Sequence, residues 1–173
     1  MTDERIDPAC AVAHGMTTEL AGDRLLVAVF ASPVAAFLVR YATDAGFQTV
    51  LVEPDAERRG QAEKDGLIAA ADVPALDGTA DVVVTDHHRA ELGQVLADSL
   101  KHPARWIGVM GNPRHPGPHV QALRELGVAQ ADIDRVHRPV GLNIGSRRPA
   151  EIAVATLAGL LADRNNRPGG FHF

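Results

Sequence analysis

Cysteine is nearly absent from this sequence. Cys10 is the only one among 173 residues. It can close no disulfide within the chain and build no thiolate metal cluster. Long hydrophobic runs are absent too: no stretch approaches the ~18 apolar residues that a membrane span needs. The start of the chain, MTDERIDPAC, is acidic and polar, unlike a secretory signal. These features predict a soluble, cytoplasmic protein with no membrane partner. Basic clusters are also missing. Arg147 and Arg148 form only a pair, and the net charge is −5, so no nucleic-acid partner is expected. One further absence is local: the stretch VFASPVAA (29–36) follows an apolar run and precedes a helical pattern, yet contains no glycine.

What is present suits one globular domain with a full core: 46% hydrophobic and 23% charged residues over a single-domain length. Residues 1–23 show no clear period and form a lead-in arm. Residues 24–164 carry alternating strand-like and helix-like patterns. Residues 165–173, rich in Pro and Gly, read as a mobile tail.

Leu25 to Phe30 is a continuous apolar run, as in a strand covered on both faces. Val34, Phe37, Leu38 and Tyr41 then follow helical spacing, with Ser32 as N-cap, Pro33 in the first turn and Gly46 at the end. Further strands are expected at 47–52, 81–85 and 105–111. Helices are expected near 92–100 and 120–126, and from Pro149 to about Asp163. Strands alternating with such helices indicate βαβ units. The expected fold is a doubly wound, mostly parallel, Rossmann-like three-layer α/β/α domain. Its ligands would gather at the carboxyl ends of the strands.

The loops at those ends supply the candidate residues. Ser32 and Pro33 stand where a glycine-rich loop would cradle a pyrophosphate. The helix dipole and the Ser32 hydroxyl remain available to an anion, or the turn is a plain N-cap. Glu53 lies about 20 residues on, where an acid would hold a ribose hydroxyl; alternatively it is a solvated acid. Asp86 and His87, with His88, can bind metal or move protons, or cap the following helix. His115 and His119 are spaced i, i+4, but the Pro and Gly residues between them deprive a zinc site of its helix. In the stiff loop 109–118, Gly111, Asn112 and Arg114 can meet an anion, or the loop is a surface connector. Gly141, Asn143, Gly145 and Ser146 form an anion nest or a flexible helix lead-in. Arg148 is a poor N-cap, which leaves the first amides of the last helix seeking another acceptor. That helix, AEIAVATLAGLLA (150–162), is apolar nearly all round. It should pack in a homodimer or against a client protein. No residue is assigned a catalytic or metal-binding role.

The segments RWIGVMGNPRH, ALRELGVAQADIDRVHRPVGLNIGSRRPAEIAVATLAGLLADR, DVVVTDHH and VFASPVAAFLVRYATDAGFQTVLVEP together resemble the C-terminal Rossmann domain of the XdhC/CoxI family. The resemblance covers about residues 24 to 164. It is most specific in P-V-G-L-N-I-G followed by P-A-E-I-A. It implies an accessory protein for maturation of a molybdenum hydroxylase of the xanthine dehydrogenase or carbon monoxide dehydrogenase type. Such a chaperone holds the molybdenum cofactor (molybdopterin or its dinucleotide) and docks the target enzyme. The sequence departs from the family pattern at Ala31 and Pro33, where glycines are usual, in the Gly111-Asn112-Pro113-Arg114 loop, and at Ser146 to Arg148, which lack the threonine cap. These departures predict that anion binding shifts from the first loop to the later ones. They also argue against an NAD(P)- or flavin-dependent oxidoreductase. The alternative function is a degenerate Rossmann module that only binds protein.

Overall fold

The computed structural model describes residues 24–170, so the arm at 1–23 lies outside the described residues. Six parallel strands form one sheet in the order β3-β2-β1-β4-β5-β6. They are β1 (Leu25–Val29), β2 (Gln48–Val52), β3 (Ala69–Ala70), β4 (Asp81–Val84), β5 (Trp106–Val109) and β6 (Val136–His137). The helices are α1 (Pro33–Asp44), α2 (Ala56–Lys64), α3 (Leu92–Leu100), α4 (Pro118–Glu125), α5 (Gln130–Ile133) and α6 (Pro149–Arg164). This is the expected doubly wound Rossmann arrangement, with the strand order reversing between β1 and β4.

Alternate side chains of each strand feed two cores. Leu26, Ala28, Leu51 and Val83 face α1, α2 and α6, where they meet Leu38, Ala42, Ala62, Ala153, Leu157 and Leu160. Val27, Val29, Val82, Val84 and Ile107 face α3, α4 and α5, where they meet Leu92, Leu96, Leu123 and Ile133. The continuous apolar reading of β1 and β4 follows from this two-sided cover.

Several elements depart from the sequence reading. β1 ends at Val29, because Phe30 leaves the strand at φ +71°. α4 starts at Pro118 rather than near Val120. Neither Asp86 nor His87 caps α3, which begins later, after Glu91. Asp86 instead accepts the His88 amide at 2.9 Å, closing a local turn. α2 has no counterpart in the sequence pattern. Its sequence AERRGQAEK buries only Ala62 and so has no apolar stripe; it begins because Asp55 accepts the Arg58 amide at 2.9 Å. β3 and β6, at two residues each, are too short to show a period.

α6 is clamped at both ends. Near its start, the Glu151 carboxylate reaches back to the amides of Arg147 (3.0 Å) and Arg148 (3.2 Å), the half of a capping box that the third helical residue supplies, while the Arg148 side chain makes no cap hydrogen bond. At its end, Arg164 donates to the fully buried Asp81 at 2.8 Å, and Arg105 donates to the same carboxylate at 2.7 Å. The helix lies on α1 and the sheet, which explains most of its apolar surface without a second chain. Val154 and the preceding Ile144 stay about half exposed. Past α6, Gly169 turns at φ +75° and comes against Leu142.

Candidate functional site at the carboxyl ends of the strands

The loops after β1, β2 and β4 meet around Glu53. Its side chain is fully buried at the end of β2. It accepts from the amides of Ala31 (2.8 Å) and Asp55 (3.0 Å), and from both terminal nitrogens of Arg89 (3.0 and 2.9 Å). Burial alone would raise the Glu53 carboxyl. The Arg89 pair and the two amides outweigh it and hold the group below the usual carboxylate value. Arg89 also lies over the Phe30 ring, 4.6 Å from its centre. This fork-on-carboxylate geometry is the strong form of a charged hydrogen bond. Sequence reasoning singles out Glu53 but misses Arg89, which stands just past the TDHH segment.

The first loop is therefore occupied from within. The backbone turn that a glycine would ease falls on Phe30, not on Ala31. A bulky residue at positive φ costs about 1–3 kcal/mol. Full burial of the ring, about 2–3 kcal/mol, and the cation above it, about 1–2 kcal/mol, offset that strain. The Ala31 amide is spent on Glu53, and Pro33 has no amide to offer. The Ser32 hydroxyl caps α1 by accepting the Ala35 amide at 3.0 Å. It also bonds the Thr85 hydroxyl at 2.8 Å, bridging the β1 and β4 loops across the switch point.

On the other side, the 111–117 loop is held by a residue that the sequence pattern does not mark. Arg138, just after β6, donates to the carbonyls of Asn112 (2.7 Å) and His115 (2.8 Å). Its guanidinium lies so close to Gly111 that a Cβ there would be 2.8 Å from Nε. Asn112 closes the turn by accepting the Arg114 amide at 3.0 Å. The Asn112 and Arg114 side chains are exposed. The His87 and His88 rings, just past the β4 end, lie 4.0 Å apart and tilted by 40°, with His87 half-buried. Burial, then His88 and Arg138, push the His87 imidazole below its usual value.

A family model described as the XdhC Rossmann domain matches residues 26–160. The chain belongs to the XdhC family. Over 100 residues it is 39% identical to the Escherichia coli (strain K12) protein YqeB, a stretch that makes up 58% of this chain and 18% of YqeB. A solved Bacillus halodurans chain, described as a xanthine dehydrogenase, matches with a TM-score of 0.67 at 22% identity, over 83% of this chain and 45% of that one. The chain thus spans less than half the length of either relative.

In this XdhC domain the candidate residues do not form one cluster. Ser32, Pro33 and Glu53 sit at the first loop, Asp86 and His87 beside the switch point, and Gly111, Asn112 and Arg114 on the loop held by Arg138. The segment containing Gly141, Asn143, Gly145 and Ser146 runs toward α6 instead. Gly141, at φ +87°, presses on the backbone of Ala155, and the Leu142 amide donates to the Ala155 carbonyl at 3.0 Å. Gly159 meets it from the helix side: a Cβ there would be 2.9 Å from the Gly141 Cα. That close approach accounts for Gly141 in the P-V-G-L-N-I-G segment without any ligand. The described residues hold no grouping of three or more His, Cys, Asp or Glu suited to a metal ion, and no helix among them is long and apolar enough to cross a membrane. A groove of about 810 Å³ lies between α1 and α2 and reaches the first loop, with Ala31, Ser32 and Pro33 lining it beside Phe37, Leu51 and Ile68.

Proposed function

We propose that this chain is an accessory module for maturation of a molybdenum hydroxylase, presenting its 111–114 loop to an anionic group of the molybdenum cofactor and docking the target enzyme. The observation that carries the reading is membership of the XdhC family over most of the chain. The description of its Bacillus halodurans fold relative as a xanthine dehydrogenase is in keeping with it. The pterin cofactor carries phosphate, so it asks for positive charge and polar groups outside the strand ends. The first loop is unsuited to a phosphate, because the Glu53 carboxylate takes the amide that such a group would need. The later loop suits it better. Asn112 and Arg114 are exposed there, and no side-chain partner ties up the Arg114 guanidinium among the described residues. When bound, the cofactor supplies the redox metal and the sulfido ligand of the target enzyme. This chain's residues would only hold and orient it.

The test is mass spectrometry of ligands released from the native protein, paired with binding of purified molybdopterin to wild type and Arg114→Ala. The reading expects a released pterin and binding weakened about 10-fold in the variant, the worth of one charged hydrogen bond. Equal affinity would remove Arg114 from the site; binding to neither cofactor nor a molybdenum hydroxylase would end the reading. A protein-binding module without a small ligand is the second reading. The half-exposed Val154 and Ile144 favour it as the contact of a homodimer along α6 or of a client protein. Light scattering that gives a strict monomer would remove the homodimer.

A further inference from the structure

We propose that Arg138 is a clamp on the 111–117 loop whose hold is set by the protonation of His119, with His87 as a second sensor. The loop carries the residues assigned above to ligand binding, but the clamp is a property of the chain alone and stands whether or not a ligand binds there.

The geometry has three parts. Arg138 spans the loop by donating to the carbonyls of Asn112 and His115, near its start and middle. Two glycines make its slot. A Cβ on Gly111 would be 2.8 Å from the guanidinium, and one on Gly117 would be 3.6 Å from the Arg138 Cδ. The third part is His119, on the first turn of α4 and only 5% exposed. Gly117 covers its ring: a Cβ there would be 2.5 Å from Cε1 and 2.7 Å from Nδ1. That Nδ1 and the Arg138 Nε are both buried without a hydrogen-bond partner. The loop therefore covers the imidazole and the Nε of the guanidinium near each other. Arg138 forms no ion pair among the described residues.

The charges around this pair offer little relief. On His119 the acting charge is Arg138. Burial first, then that guanidinium, hold its imidazole below the ordinary value. On His87 they are His88, Arg138 and Asp86; Asp86 and a hydrogen bond to the Met110 backbone favour the charged form. Arg114 and His115, on the loop itself, are exposed. A proton taken up by His119 adds a buried cation beside the partly buried Arg138. The open loop, which hydrates both groups, does not carry that cost. The sign follows. The closed form binds the proton more weakly than the open form. Closure is therefore complete above the ordinary imidazole value of about 6.5 and weakens as pH falls below it, up to about 10-fold in the opening equilibrium per pH unit for one imidazole.

The experiment is amide hydrogen exchange on the full chain without ligand, read by NMR at Arg114 and His115 and corrected for the intrinsic pH dependence of exchange. In wild type, protection is expected to be level at about pH 7–8 and to fall by up to about 10-fold per unit below about pH 6.5. His119→Phe should at least halve that slope, and the His87→Phe, His119→Phe double variant should abolish it. Arg138→Met should lower protection at every pH and raise the His119 titration midpoint. A flat wild-type profile, or an unchanged slope in His119→Phe, would overturn the clamp. Should His119→Phe fail to fold, the wild-type imidazole titration decides: a His119 midpoint at or above about 6.5 would overturn it as well.

Discussion

Replacing Glu53 by Ala tests whether the first loop is held by the chain's own anion. The substitution strips Arg89, whose side chain is only 11% exposed, of its bidentate partner. It also removes the acceptor of the Ala31 and Asp55 amides. Asp55 is exposed and Ala31 half-buried, so water can replace much of what those amides lose. The guanidinium, left with the partly exposed Glu91 carboxylate at 3.1 Å in place of its buried bidentate partner, is the larger cost. Breaking one side of a buried ion pair costs about 3–5 kcal/mol. For a domain of this size each kcal/mol moves Tm by roughly 2–4 °C, so a drop of about 6–20 °C is expected. Glu53→Met with Arg89→Met should recover most of the loss, because no buried charge is then left alone. Urea unfolding of the wild type, both single Met variants and the double gives the coupling energy. A Glu53→Ala cost below about 1 kcal/mol, or a double variant as unstable as the sum of the singles, would refute this account.

The same carboxylate sets an acid limb. Its folded pKa is depressed, so its contribution is full above the unfolded value of about 4.3 and is lost as pH falls through the folded one. Between about pH 5 and pH 3 the urea midpoint of the wild type should therefore fall more steeply than that of Glu53→Gln, and parallel slopes would contradict it. Asp81→Asn should cost about 3 kcal/mol by leaving Arg105 and Arg164 without their shared buried partner, and proteolysis should then cut first near the end of α6. Intact protection of that helix would argue against the clamp at its end. Gly159→Val should cost about 1–3 kcal/mol, since its Cβ meets the Gly141 backbone; thermal melting reads it, and an unchanged Tm would mean that the P-V-G-L-N-I-G segment is free to move away.

The alternation of apolar strands and helical stripes is enough to place β1, α1, β2, β4, α3, β5, α4 and α6, because each buries a regular set of side chains. α2 escapes because it buries almost nothing, and β3 and β6 because two residues carry no period. The positions of the loops at the strand ends are likewise legible, since chain order and right-handed crossovers leave little choice. What those loops do to one another is not. That Ala31 spends its amide on Glu53, that Arg89 reaches back 36 positions to seal it, and that Arg138 grips a loop 26 positions earlier are contacts between segments distant along the chain.

The sequence by itself determined the parallel sheet, the family and the capped start of α1, because periodicity, caps and motif spacing act within one segment. The tertiary structure alone decided that the glycine-like turn falls on Phe30, that Gly141 serves helix packing, and that the first loop is filled by a buried carboxylate. Each of these depends on which atoms meet across the sheet ends, and burial and electrostatics have no counterpart in the order of residues along the chain.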